Sequence, residues 1–92
     1  MNRMYFVYGT HRVKNFENWR KVFDTGERQR QKAEIEVRKI FRSVNDPNEV
    51  HFLLESSSVD AVYEFFRSEA LRKNMKEAGV LGEPVFHILE LV

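Results

Sequence analysis

The strand-forming stretches of this chain are apolar on both of their faces, and no other feature restricts its fold as much. The C-terminal run Val85-Phe86-His87-Ile88-Leu89-Glu90-Leu91-Val92 places large apolar residues at odd and even positions alike. Near the other end Met4, Phe6 and Tyr8 share one parity, while Tyr5 and Val7 share the other. Successive strand residues point to opposite sides of a sheet, so a sheet covered on one side only should alternate apolar with polar. Here both sides need a cover. A chain of 92 residues makes one domain and buries a modest share of its surface. Residues 1–92 are therefore expected to cover one sheet face with their own helices and the other with a second copy of the chain, as a homodimer. A twisted sheet that leaves aromatic residues partly in water is the alternative.

Element order follows from local signals. Residues 4–13, rich in aromatic and β-branched types, predict a first strand. Asn15 can cap a helix with Glu17 in its first turn, and Phe16, Trp19, Val22 and Phe23 fall on one helical face. Gly26 bends or interrupts this helix, and the polar stretch 27–32 is a last turn or a second short helix. Residues 35–45 predict a second strand, Asp46-Pro47-Asn48-Glu49 a turn, and 49–56 a third strand. Ser57 and Asp60 have capping-box spacing. Val62, Phe65, Phe66 and Ala70, then Leu71, Met75 and Ala78, form the apolar face of a second helix that bends near Ser68 and stops at Gly79. Gly82-Glu83-Pro84 reads as a loop and 85–92 as the last strand. The order is α+β, ferredoxin-like βαββαβ, with a four-stranded antiparallel sheet and both helices on one face.

A hairpin register that pairs Asp46 with Glu49 sets Phe41 opposite Leu54. Phe41, Val50, Phe52 and Leu54 then face the helices. Arg38, Ile40, Arg42, Val44, His51, Leu53 and Glu55 share the other face, and a slip of one residue would exchange the two sets.

Charge and composition exclude several functions. With 15 basic against 14 acidic residues, the chain lacks the basic excess of a nucleic-acid binder. Arg28, Arg30, Lys32, Arg38, Lys39 and Arg42, interleaved with Glu27, Glu34 and Glu36, read as a solvated surface. Phosphate-loop and dinucleotide fingerprints are absent. There are no cysteines, and His11, His51 and His87 have no ligand spacing, so no metal site and no cofactor are expected. No apolar run is long enough to span a membrane, and Met1-Asn2-Arg3-Met4-Tyr5 does not open an apolar leader. A cytoplasmic location is the expectation.

The segment His11-Arg-Val13-Lys-Asn15-Phe16-Glu-Asn-Trp19 with Val22-Phe23-Asp24, the turn Asp46-Pro47-Asn48-Glu49-Val50, and the stretch from Ser68 through Leu71, Met75 and Gly79 to Val80 resemble small proteins of the dimeric α/β-barrel superfamily, in particular the antibiotic-biosynthesis-monooxygenase-like group. The resemblance spans nearly the whole chain. It implies two subunits whose sheets face each other as a barrel with helices outside. Members include cofactor-free oxygenases of polycyclic aromatic quinols, haem-degrading oxygenases and lactone isomerases. The haem-degrading members take a histidine ligand from the second helix region, where this chain has none. The activity implied is that of a cofactor-independent monooxygenase-like enzyme acting on a small aromatic or polyketide-like substrate. A non-catalytic dimeric module that binds a small molecule or scaffolds is the alternative.

Candidate residues are those with polar tips among the aromatics. His11, at the end of the first strand, is the candidate proton acceptor, since imidazole titrates near neutrality. The plainer reading is a strand-end histidine that bonds a neighbouring backbone group, since one titratable residue without identified partners does not define a site. Tyr8 and Trp19 would orient the ring of a small aromatic ligand, and Tyr63 carries a polar tip that needs a partner if buried. His51, Arg42 and Glu55 on one sheet face could bind an anion or form an ion-pair network across the dimer axis. His87 on the last strand would make an interface hydrogen bond. A pocket should join His11 to aromatic side chains as an open cleft, whereas a scaffold should pack them without a void.

Overall fold

In the protein's computed structural model, which describes residues 4–92, β1 (Tyr5–Val13) runs through the middle of the sheet. It pairs antiparallel with β3 (Glu49–Ser56) on one side and β4 (Val80–Glu90) on the other, and β2 (Ile35–Arg42) pairs with the outer side of β3. The strand order is β2-β3-β1-β4, the ferredoxin-like α+β arrangement. Residues 1–3, on which the expectation about a leader rests in part, lie outside the described residues.

Each helical arm is split in two. Asn15 caps α1 (Phe16–Thr25), its side chain accepting from the Asn18 amide at 2.9 Å. Gly26 ends α1 and α2 (Glu27–Lys32) follows at once. The second arm breaks at Ser68 into α3 (Val59–Arg67) and α4 (Glu69–Glu77). Ser68 serves both pieces: its hydroxyl donates to the Phe65 carbonyl at 2.7 Å and accepts from the Leu71 amide at 3.2 Å. Gly79, at φ 76°, takes the left-handed conformation that stops α4.

The helices cover the sheet face formed by Val7, Gly9, His11 and Val13 of β1 and Val50, Phe52 and Leu54 of β3, all buried. The core divides into two clusters. Val7, Ile35, Phe52, Leu54 and Val62 make one, and Val13, Trp19, Val50 and Ala78 the other. The opposite face carries Phe6, Tyr8 and Leu53 half-buried, with Phe41 at 49%, Val85 at 53% and Leu89 at 48% exposed. Both faces are apolar, as the alternation argument requires.

Four local expectations are corrected. β2 ends at Arg42, not at residue 45, because Ser43, Asp46 and their neighbours form side-chain-to-backbone bonds that compete with a ladder. The hairpin register is set by the longer loop that results. Phe41 pairs with His51 and Ile40 with Phe52, so Phe41 lies on the open face while Ile40 and Arg42 lie on the helix face. A one-residue bulge at Arg38 shifts the pairing again, so Arg38 keeps its predicted open-face position, where it bonds Glu55 and Glu36. The second arm is capped by Ser58, which accepts from the Ala61 amide at 3.1 Å, not by Ser57. Finally, Gly82-Glu83-Pro84 belongs to β4 as a bulge, three residues set against His11 alone between the pairs Thr10–Val85 and Arg12–Leu81.

Candidate functional site

Helices and sheet flank a partly open cavity of about 500 Å³ where the two core clusters meet. Its sheet wall includes His11 and Phe52, and its helix wall includes Trp19, Phe23 and Phe66. The β4 bulge forms part of the lining through Gly82, Glu83 and Pro84. Pro84 has no N–H to give to a ladder and Gly82, at φ 70°, adopts a conformation unsuited to other residues, so this stretch bows away where β1 presents His11.

His11 is the unusual group. It is 9% exposed, and neither ring nitrogen has a hydrogen-bond partner. Its neighbours are aromatic. Trp19 stands edge-on at 5.7 Å between centroids and Phe52 is tilted at 5.6 Å. Desolvation in these surroundings lowers the imidazole pKa from 6.5 to about 4. The ring is therefore neutral at ordinary pH, with one N–H donor and one acceptor nitrogen both unused. Two orphaned polar atoms inside a folded protein are costly, and native structures rarely tolerate them without a reason.

Trp19 is the largest fully buried side chain, stacked on Phe23 at 4.8 Å. Arg30 lies over the outer side of Phe23 at 4.0 Å and donates from Nη1 to the Phe23 carbonyl at 2.8 Å. Arg30 is only 7% exposed, which corrects its reading as a solvated residue. A sequence signal existed, because Phe16, Trp19, Phe23 and Arg30 follow helical spacing, but the arginine's charge argued for the outside.

The other candidates lie elsewhere. Tyr8 projects from the opposite side of β1 and cannot share a cavity with His11 and Trp19. On the open face its hydroxyl meets His51 Nδ1 at 2.6 Å, and His51 Nε2 meets Glu49 Oε2 at 2.9 Å. An ionised carboxylate only accepts, so Nε2–H donates to Glu49; in the tautomer that carries its proton there, Nδ1 accepts a hydrogen bond from the Tyr8 hydroxyl. Glu49 was not among the candidates, although residues two apart on a strand share a face. His87 pairs across from Tyr8 on this face. Arg42 is separated from His51 by the register described above. It covers the Phe16 ring at 4.6 Å and reaches Glu17 at 3.8 Å, so the expected His-Arg-Glu cluster is replaced by the Arg38–Glu55 pair. Tyr63 is 46% exposed on α3 beneath Arg67. Among the described residues no group of histidines and acids is placed to hold a metal, and no helix is long and apolar enough to cross a membrane.

No protein-family model matches the chain, and no curated protein is similar to it in sequence. Solved structures are similar in fold. A Caulobacter crescentus protein named "putative antibiotic biosynthesis monooxygenase" superposes with a TM-score of 0.76 at 21% identity, over 99% of this chain and 92% of its own. A Bordetella bronchiseptica protein of the same name gives 0.74 at 14% identity, over 98% of each chain. A nipsnap family protein of unknown function from Agrobacterium tumefaciens gives 0.65 at 19%, over 98% of this chain and 89% of that one. The fold is that of the antibiotic-biosynthesis-monooxygenase-like structures, and at these identities the likeness extends to fold alone.

Proposed function

We propose that this protein is a cytoplasmic homodimer whose helix-side cavity binds a small aromatic or polyketide-like molecule, and that it acts on that molecule as a cofactor-independent monooxygenase-like enzyme. One observation carries the reading: a neutral, unpartnered His11 faces a cavity walled by Trp19, Phe52 and Phe66. The close-packed alternative would have left no void beside these rings. A quinol-type ligand satisfies what the cavity lacks. Its ring stacks on the aromatic wall, and its hydroxyl hydrogen-bonds an imidazole nitrogen once the His11 ring, whose nitrogens are both enclosed in the empty protein, turns toward the cavity.

In the proposed reaction His11 takes the phenolic proton. The resulting electron-rich anion is oxidised by dioxygen at a ring carbon. One oxygen atom becomes the new carbonyl, and the other leaves as water with the two hydrogens lost by the ring and its hydroxyl. Trp19 keeps the ring-binding role, and Tyr8, on the other face, takes no part. The apolar open face, with Phe41, Val85 and Leu89 exposed, supports pairing with a second copy.

One feature favours a binding role without turnover. A catalytic base is commonly held by a third group, and His11 has none. Oxygen uptake with a panel of naphthalene and anthracene quinols separates the two. Turnover that falls in His11→Ala supports the enzyme; saturable binding with no uptake supports the module; turnover unchanged in His11→Ala removes the role of His11. Native mass spectrometry tests the assembly. A dimer is expected, with any retained small mass lost on denaturation, and a monomer would overturn the homodimer.

A further inference from the structure

Arg30 has chemistry that its packing leaves unspent. A guanidinium offers five N–H donors in a planar fork. Only Nη1 is bonded, to the Phe23 carbonyl. The other nitrogens have no protein partner, yet they are not among the fully enclosed unsatisfied atoms, so they keep access to open space. Arg30 is also one of the residues that line the cavity. No carboxylate among the described residues lies within ion-pair distance of it. Asp24 and Glu27 are near enough to favour its charge, but burial outweighs them and lowers its pKa. A buried guanidinium stays charged all the same, and a buried charge ordinarily has a counterion.

Placement gives this cation a purpose. Arg30 lies over Phe23, Phe23 stacks on Trp19, and Trp19 meets His11 edge-on. The two rings thus form a wall with a cation at one end and a neutral imidazole at the other. Resting on the proposed role of the cavity, we infer that its ligand is an aromatic acid: an elongated ring system laid along Phe23 and Trp19, with a phenolic hydroxyl at His11 and a carboxylate on the Arg30 fork. A carboxylate accepts two parallel N–H bonds from a guanidinium, a geometry a lysine cannot reproduce. The anion also supplies the charge that Arg30 is missing.

The test is a matched pair of ligands, hydroxynaphthoic acid and its neutral hydroxynaphthamide, titrated against the dimer or monomer as purified. Trp19, the sole tryptophan, reports binding by its fluorescence. The acid should bind roughly 10- to 100-fold more tightly than the amide, the range for a charge-assisted hydrogen-bonded pair. Arg30→Gln should erase that advantage while leaving amide binding in place, and Arg30→Lys should retain only part of it. Should Arg30→Gln fail to fold, the Arg30→Lys comparison stands in its place. Equal binding of acid and amide by the unaltered protein would overturn the inference and leave the aromatic cavity standing. So would an acid preference that survives both substitutions undiminished. Binding of neither compound would remove the inference and the ligand role of the cavity together.

Discussion

His11 and His51 sit one register step apart on neighbouring strands, since Thr10 pairs with His51 and His11 with Val50, yet they inhabit opposite kinds of environment. His51, on the open face, has both ring nitrogens engaged, by Tyr8 and Glu49. His11, on the covered face, has neither. The same side chain is thus part of a closed network on one side of the sheet and an open valence on the other. A satisfied polar group on a half-exposed surface is explained by its partners. An unsatisfied one beside a cavity is what the ligand proposed above would satisfy. Alternation across the β1–β3 pair therefore puts a histidine with two partners on one face and a histidine with none on the other.

The largest expected effect comes from removing the open valence. His11→Ala should lower turnover of a quinol substrate by roughly 10²- to 10⁴-fold, the usual contribution of a positioned base, measured as oxygen uptake. Tyr8→Phe, on the other face, should leave that rate within a factor of about two.

Next is stability against pH. The folded chain holds His11 neutral down to about 4 where the unfolded chain protonates near 6.5, so the unfolded state binds the extra proton between those values. Stability should be complete above pH 6.5 and decline by about 3 kcal/mol as pH falls through this window, at ~1.36 kcal/mol per unit. Denaturant midpoints in His11→Leu should lack this component and, at neutral pH, match or exceed those of the parent by about 1 kcal/mol, since two orphaned nitrogens are gone. A loss of several kcal/mol in His11→Leu would mean that the imidazole is a packed structural group.

Gly9 tests the covered face itself. A Cβ built there would lie 2.1 Å from the Phe52 ring, so Gly9→Ala should cost ~1–3 kcal/mol through displacement of that ring from the cavity wall. The adjacent open-face change, Thr10→Ala, should cost about 0.5 kcal/mol or less. The network should also contribute little: Tyr8→Phe removes one hydrogen bond at His51 and should cost about 1 kcal/mol or less by thermal or chemical denaturation.

Sequence reading went furthest where local chemistry decides. Asn15, the Asp46-Pro47 turn, the break at Ser68 and the stop at Gly79 all announce themselves through one or two side chains acting on nearby backbone. It went wrong where pairing across strands decides. Ser43 and Asp46 draw backbone bonds to themselves, the hairpin loop lengthens, and Phe41, Ile40 and Arg42 exchange faces; no count of apolar residues along β2 anticipates that. Ser57 and Ser58 are equally good caps on paper, and only the geometry of the chain leaving β3 chooses between them. At the site, His11 and Trp19 were identifiable as an aromatic cluster with a titratable member. Their separation from Tyr8 depended on which parity of β1 faces the helices, and both parities are apolar. Arg30 was hidden by its own charge, which ordinarily predicts water and here coexists with burial over Phe23.

The two bulges carry one further consequence. They fall on β2 and β4, the outermost strands, while β1 and β3 pair with each other in unbroken register. A straight outer strand offers its free amides and carbonyls to any passing chain and invites runaway sheet growth. Arg38 kinks one such border with a charged residue, and Gly82-Glu83-Pro84 kinks the other with a residue that has no amide hydrogen. Lateral stacking into fibrils is thereby discouraged, and a crowded solution of this protein is left with its greasy broad side as the remaining route to self-association.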